Sequence, residues 1–165
     1  STAVQMALGD AIAMCLMEIR GFKAEDFAKF HPGGTLGKKL TVTLADLIDK
    51  DRNPQVRPKS SLQEVLMSMT EGRYGATVVI QNEKVVGIIT DGDLRRALEK
   101  GDTATASEMM NTNPLMKKQT ELASNAAASI QGLGVSQVIV TTEDNEYLGL
   151  VHLHDLIREG VTSNK

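Results

Sequence analysis

Aromatic residues are scarce in this chain. Of its 165 residues only 3% are aromatic, with two Tyr, three Phe and no Trp. Any core must therefore be built from Val, Ile, Leu, Met and Ala, and with 41% hydrophobic residues there are enough of them. The eight Met suit irregular gaps between packed elements. Cysteine occurs once, as Cys15, so no internal disulfide can form; its place in an apolar helical pattern reads as a buried thiol in a reducing cytoplasm. Charge of neither sign dominates. A net charge of −3 with pI near 5.6 gives no global field for nucleic acid. No apolar run reads as approaching the ~20 residues of a spanning helix, and no signal-peptide layout is visible, so no membrane contact is expected.

What the chain does contain is an internal near-repeat. Gly87-Ile88-Ile89-Thr90-Asp91-Gly92-Asp93-Leu94 recurs 62 positions later as Gly149-Leu150-Val151-His152-Leu153-His154-Asp155-Leu156. Each copy reads as a strand running into a helix. Two copies suit a paired module better than a solenoid, with a cleft between the halves for a small ligand.

Three pieces follow from the pattern. Residues 1–40 open within a helix-start signal, which reads as part of a longer protein. Thr2-Ala3-Val4-Gln5 fits a capping box with Thr2 as N-cap, and Val4, Leu8, Ala11, Cys15 and Ile19 keep helical spacing up to Gly21. Ala24 to Phe30 reads as a second short helix, left at His31-Pro32-Gly33-Gly34 because the residue before Pro disfavours the α region. This piece is too small for a core of its own, so its first helix is expected to pack on a neighbouring chain or to be poorly ordered. Residues 41–104 form the first repeat. Ser61-Leu62-Gln63-Glu64 is a capping box, Leu62, Val65, Leu66 and Met69 mark one helical face, and Ala76 to Gln81 and Lys84 to Thr90 are strands joined by the tight turn Asn82-Glu83. Asp91 to Lys100 closes the repeat as a helix. Residues 105–160 repeat the arrangement. Met69 maps to Ile130, Tyr74 to Val135 and Val78 to Ile139, and Ala123, Ala126, Ala127 and Ile130 form the matching helical face. Short extended stretches near Val56 and Met116 precede each half. The expected fold is α+β, with two β-α-β-β-α units burying one sheet face against each other.

Ser61-Leu62-x-Glu64-Val65-x-x-x-Met69, Gly87-Ile88-Ile89-Thr90-x-x-Asp93-Leu94 and Gly149-Leu150-Val151-x-x-x-Asp155-Leu156 resemble a tandem pair of cystathionine-β-synthase (CBS) motifs, a Bateman module. Leu8-Gly9-Asp10-Ala11, Arg20-Gly21-Phe22, Glu25-Asp26-Phe27-Ala28 and His31-Pro32-Gly33-Gly34-Thr35-Leu36-Gly37 resemble the end of a sugar isomerase (SIS) domain. Together they resemble the bacterial arabinose 5-phosphate isomerase family. The resemblance implies a pseudo-symmetric CBS pair preceded by helices of a truncated SIS domain. It implies a cytoplasmic, tetrameric parent enzyme that interconverts ribulose 5-phosphate and arabinose 5-phosphate for synthesis of Kdo, a sugar of lipopolysaccharide and some capsules.

The resemblance also assigns candidate residues. His31 takes the position of an active-site His in the intact enzyme, where imidazole suits the proton transfer of aldose–ketose isomerisation; without the family, it reads as a surface His beside a turn. The family's remaining active-site groups precede residue 1, so this chain alone is expected to be inactive. Thr90 and Asp93 stand where CBS modules hold ribose hydroxyls, and the same two residues could instead cap the closing helix. Asp155 keeps the second copy's carboxylate, while His152 replaces its hydroxyl. Arg95, Arg96 and Arg158 could neutralise phosphate or be solvated helix charges. His152 and His154 point the same way if the strand persists, as pocket-lining or cap-forming groups; no third ligand for zinc accompanies them. Gly33 to Lys39 is one residue short of a P-loop, Arg95 breaks an EF-hand reading of Asp91-Gly92-Asp93, and Lys38-Lys39 and Lys117-Lys118 are too short for a nucleic-acid patch. No cofactor is required; an adenine nucleotide or a CMP-linked sugar is the expected effector. The partners implied are further copies of the chain, pairing through the CBS modules. A rival reading has the pair as a structural module that binds no ligand and holds the isomerase oligomer together.

Overall fold

The computed structural model describes residues 1–23, 26, 30, 34–101 and 103–162. Helix α1 spans Thr2–Ile19 and α2 spans Thr35–Thr41; a short 3₁₀ turn covers Ala45–Leu47. The first half then runs β1 (Gln55–Val56), α3 (Leu62–Gly72), β2 (Ala76–Gln81), β3 (Lys84–Thr90) and α4 (Asp91–Lys100). After α5 (Ala106–Met109), the second half runs β4 (Met116–Lys118), α6 (Ala123–Leu133), β5 (Gln137–Thr141), β6 (Tyr147–His152) and α7 (Leu153–Glu159). The expected β-α-β-β-α order thus appears twice.

Each half carries one three-stranded sheet, β1-β2-β3 and β4-β5-β6, with a parallel outer pair and an antiparallel hairpin. Even the irregularities repeat: both hairpins shift register at equivalent places, Val79/Ile80 and Val140/Thr141. Asn82 and Glu83 both have positive φ, 51° and 65°, as a two-residue turn of type I′ demands. The Ser61–Glu64 capping box forms as expected, with Glu64 accepting from the Ser61 amide at 2.7 Å. In α3 the apolar face is narrower than expected, because Leu66 is exposed while Leu62, Val65 and Met69 are buried.

Strands β2 and β5 are buried on both faces, which explains their unbroken apolar sequences. One side of each sheet packs against its own helices. The opposite sides meet each other, and Val78 and Ile88 pack with Ile139 and Leu150 in a shared cluster. Burying an aliphatic side chain of this size contributes roughly 1.5–3 kcal/mol, so this seam is a principal source of cohesion.

Packing crosses the chain's linear division. Leu44 is fully buried in the core of the second half, with Val42, Leu47 and Ile48 against it. The backbone follows: Leu44 donates to the Glu121 carbonyl at 2.9 Å and Ala123 donates to Val42 at 2.9 Å. Conversely, Ala106 and Met109 complete the core of the first half. Each half is therefore finished by the arm that precedes the other. Two glycines let the arms pass. A Cβ on Gly87 would lie 2.6 Å from Met110 Sδ and 2.9 Å from the Asn111 carbonyl oxygen; one on Gly149 would lie 2.7 Å from Ile48 Cγ2.

The N-terminal region departs from the sequence reading in the cap of its first helix, in Cys15 and in that helix's apolar length. Ser1, not Thr2, occupies the N-cap of α1, and its side chain makes no capping bond. Cys15 is exposed, not buried. Apolar side chains all around α1 are exposed as well, among them Leu8 at 60% and Ile19 at 80%. The two exposures share one cause: no described element packs on α1, so it has no buried residue. With 18 residues, α1 is also long and apolar enough, by length and composition, to cross a membrane, contrary to the expectation of no such run. A helix that is apolar all round fits the core of a larger soluble fold equally well, and Asp10 would cost about 2.5–3.5 kcal/mol at a bilayer centre. By contrast α2 docks on the second half, through a Lys38–Glu159 ion pair at 2.9 Å and a bond from Ser124 Oγ to the Lys39 carbonyl at 2.8 Å. The expected helix from Ala24 to Phe30 lies largely outside the described residues, as do His31, Pro32 and Gly33.

The two glycines generate a graded test. Gly87→Ala is expected to lower stability by about 1–3 kcal/mol, because the added carbon meets a backbone oxygen that is itself paired in the sheet. Gly149→Ala meets only side-chain atoms of Ile48 and no backbone atom, and should cost less. Urea unfolding midpoints check this; equal or reversed losses would show that the arms do not cross as described.

Candidate functional site

Strand β3 ends and α4 begins at Thr90, the N-cap of that helix. Its amide and hydroxyl both donate to Asp93 Oδ2, at 2.9 and 2.6 Å, and Arg96 holds Asp93 Oδ1. The second half repeats this trio 62 positions on. His152 is the N-cap of α7, its amide donates to Asp155 Oδ2 at 3.1 Å, and Arg158 donates to Asp155 Oδ1 at 3.0 Å. Imidazole substitutes for the hydroxyl by accepting through Nδ1 from the His154 amide at 3.0 Å. The strand does not persist to His154, which already belongs to α7, yet the two rings still meet at 4.7 Å between centroids. Of the two readings open for Thr90-x-x-Asp93, the capping role is therefore present, and Asp91 is not the N-cap.

Between the halves lies a cleft of about 500 Å³. Ile88, Thr90 and Asp91 line it from the first half, Asn111 and Asn113 from the arm before β4, and Val135, Ser136, Gln137 and His152 from the second half. Local backbone bonds fix its walls. Asp91 donates to the Gly75 carbonyl at 3.0 Å, Leu153 to Ser136 at 2.9 Å, and Gln137 Nε2 reaches across to the Tyr74 carbonyl at 2.8 Å. Larger hollows, of about 890 and 690 Å³, run beside β1 and Arg57, but none of the expected ligand residues lines them. The chemistry thus points to the smaller cleft.

The structure sorts the expected residues into groups. Thr90 and His152 share the cleft. Asp93 and Arg96 open on a different hollow, of about 390 Å³, with Glu108. Asp155 and Arg158 hold the mirror position, and Arg95 is simply exposed on α4. Asn111, Asn113, Ser136 and Gln137 were not singled out in the sequence. Asn111 and Asn113 sit in the Asn-Thr-Asn-Pro stretch before β4, and Ser136 and Gln137 at the entry to β5. Among the described residues no group of His, Cys, Asp or Glu is arranged to hold a metal.

Electrostatics follow from the caps. Burial alone would raise the Asp93 carboxyl, but bonds from the Thr90 hydroxyl and amide and from Arg96 outweigh it and hold it below its ordinary value. Burial, then the neighbouring His154, depress His152, with Asp155 pulling partly back. A His with a depressed folded pKa adds stability above its unfolded value, near 6.5, and that stability is lost as pH falls through the folded value. Asp93 is the opposite type of group but has the same sign at lower pH: its contribution is present above about 3.9 and disappears as the carboxyl protonates. His152→Thr, which installs the first half's residue, should therefore flatten the pH dependence of the melting temperature between about pH 7 and 5. Melting curves at closely spaced pH values check this, and an unchanged slope would assign the effect to another group.

A family model for the CBS domain matches residues 44–100 and 106–161. Arabinose 5-phosphate isomerase KdsD of Pseudomonas aeruginosa is 40% identical over 166 residues, covering 98% of this chain and 51% of the relative. Arabinose 5-phosphate isomerase KpsF of Escherichia coli is 40% identical over 159 residues, covering 94% of this chain and 48% of the relative. The chain thus spans about half the length of the curated relatives it matches. Among solved structures, CBSX2 in complex with AMP superposes with a TM-score of 0.61 at 19% identity, covering 71% of this chain and 94% of that one. The CBS domain of a bacterial CNNM/CorC family Mg²⁺ transporter in complex with ATP gives 0.65 at 19% identity, covering 79% and 94%. Matching motifs, matching fold and a family model over both halves agree: the chain belongs to the CBS domain family, as a tandem pair, with arabinose 5-phosphate isomerases among its sequence relatives.

Proposed function

We propose that this chain is the regulatory part of an arabinose 5-phosphate isomerase, and that a nucleotide or nucleotide-sugar bound in the Thr90 cleft biases the activity or assembly of the isomerase part. The observation that carries the reading is the cleft itself, walled by both halves, so that a ligand there can favour one relative placement of the two. Solved CBS pairs in complex with AMP, with ATP and with S-adenosyl-L-methionine give the ligand class. Thr90 and Asp93 would exchange their mutual bonds for ribose hydroxyls, a carboxylate being able to accept two. Charge narrows the choice. Lys and Arg are absent from the cleft's described lining, Asp91 is in it, and Asp91 with Asp93 offsets the positive end of α4. The Arg96 guanidinium stands beside Gly92 of the lining, a single cation, so a ligand with a single phosphate, such as AMP or a CMP-linked sugar, fits better than a triphosphate.

Residues 1–40 read as the end of a SIS isomerase domain. The exposed apolar surface of α1 is what such a segment leaves when the rest of its domain is not beside it. His31 would serve proton transfer in the intact, cytoplasmic, tetrameric enzyme, on the path to Kdo. One imidazole cannot position and polarise a sugar phosphate unaided, because most of the rate comes from preorganised groups. The structural rival is favoured by one observation: Leu66, Met67, Leu98 and Leu133 are exposed on outer helices, where copies could pair.

Calorimetry separates these readings. The chain is expected to bind AMP or a CMP-linked sugar more tightly than ATP, and Asp93→Asn should weaken that binding by roughly tenfold or more, the loss of a charge-assisted bond. No heat from any of the three would leave the structural role. In a coupled assay the chain alone should not turn over arabinose 5-phosphate; measurable turnover would overturn its assignment as a regulatory part.

A further inference from the structure

The two cap residues that line the cleft have spent opposite halves of their hydrogen-bonding capacity. The Thr90 hydroxyl has one proton, and it goes to Asp93 Oδ2 at 2.6 Å. Burial works against the charge on that carboxyl, but the bonds from Thr90 and Arg96 keep it ionised, so it has no proton to return. The Thr90 oxygen is left with lone pairs alone, and Asp91 beside it in the lining is an acceptor too. At His152 the reverse holds. Its Nδ1 accepts from the His154 amide at 3.0 Å, and a ring turned over would set a carbon against that amide. Burial and the neighbouring His154 favour the neutral ring. A neutral imidazole whose Nδ1 accepts carries its proton on Nε2. Among the described residues nothing bonds to Nε2, and no buried side-chain nitrogen or oxygen lacks a partner, so this N–H is open to solvent on a residue of the cleft. Asn111 adds to the same side. Its Oδ1 accepts from the Asn113 amide at 2.9 Å, which leaves its amide nitrogen to donate.

We propose that His152 is a specificity-determining residue, a hydrogen-bond donor of fixed tautomer, to which the ligand turns an acceptor oxygen while its own hydroxyl donors go to the Thr90 end. This rests on the ligand-binding reading given above. The acceptor is a carbonyl of the base or an oxygen of the phosphate. A group that can only donate, such as an ammonium, meets N–H against N–H there and is turned away. The repeat thus gives one cleft two unlike ends, acceptors at Thr90 and donors at His152.

The tautomer can be read without any ligand. Long-range proton–nitrogen NMR spectra of the unliganded chain at neutral pH are expected to place the proton on Nε2, and to show that resonance shifting when CMP is added. In calorimetry with CMP, His152→Leu keeps bulk but has no donor and should weaken binding by roughly tenfold, the cost of an unpaired acceptor. His152→Gln, whose amide can donate from the place of Nε2, should stay within about threefold of the unaltered chain. Circular dichroism and melting curves establish that each variant is folded. Cytidine, which lacks the phosphate, locates the acceptor: a loss on His152→Leu that persists assigns it to the base, and one that disappears assigns it to the phosphate. A proton on Nδ1, a folded His152→Leu chain that binds CMP normally, or a His152→Gln chain as weak as His152→Leu overturns this inference and leaves the ligand-binding reading standing. No heat from CMP or AMP with the unaltered chain removes that reading, and this inference with it.

Discussion

The seam between the two sheets is the constraint on which the rest of the molecule depends. Val78, Ile88, Ile139 and Leu150 turn inward from two separate hairpins and are buried against one another, with Tyr74, Ala76 and Tyr147 around them. A three-stranded sheet with one helical layer has a second apolar face, and an isolated half would leave it in water. Meeting face to face resolves this for both halves at once. The same meeting places the ends of β3 and β6 beside each other, and those ends carry Thr90 and His152 into a common cleft. The site is thus a by-product of how the core is closed.

Much of this was legible in the sequence, because the signals were local. Repeated strand-to-helix patterns, the Ser61–Glu64 cap, the Asn82-Glu83 turn and the alanine face of α6 each depend on residues within a few positions of one another. What escaped the sequence was long-range. Nothing near Leu44 indicates that it completes a core 80 residues downstream, or that Ala106 and Met109 complete one upstream. Cys15 failed for a related reason: helical periodicity identifies an apolar surface but not whether a partner is at hand to cover it.

Within the candidate site, the N-cap pairs were readable and the walls were not. Thr90 and Asp93 announce themselves by spacing, as do His152 and Asp155. Asn111, Ser136 and Gln137 come from a loop and a strand entry that approach Thr90 only after the halves close. Tyr74 maps to Val135 in the repeat, but its burial beneath Arg52 is not legible from that alignment.

The crossed arms alter what adjacency means in this protein. Residues 42–48 enter from the N-terminal side, yet they are seated in the more distant module, and α2 is fastened there too. The chain just before residue 42 is thereby fastened to the far module, and the near one holds to that module through the shared seam. A displacement of the second module pulls on the upstream chain without passing through the first, much as a crossed lace draws on the opposite eyelet.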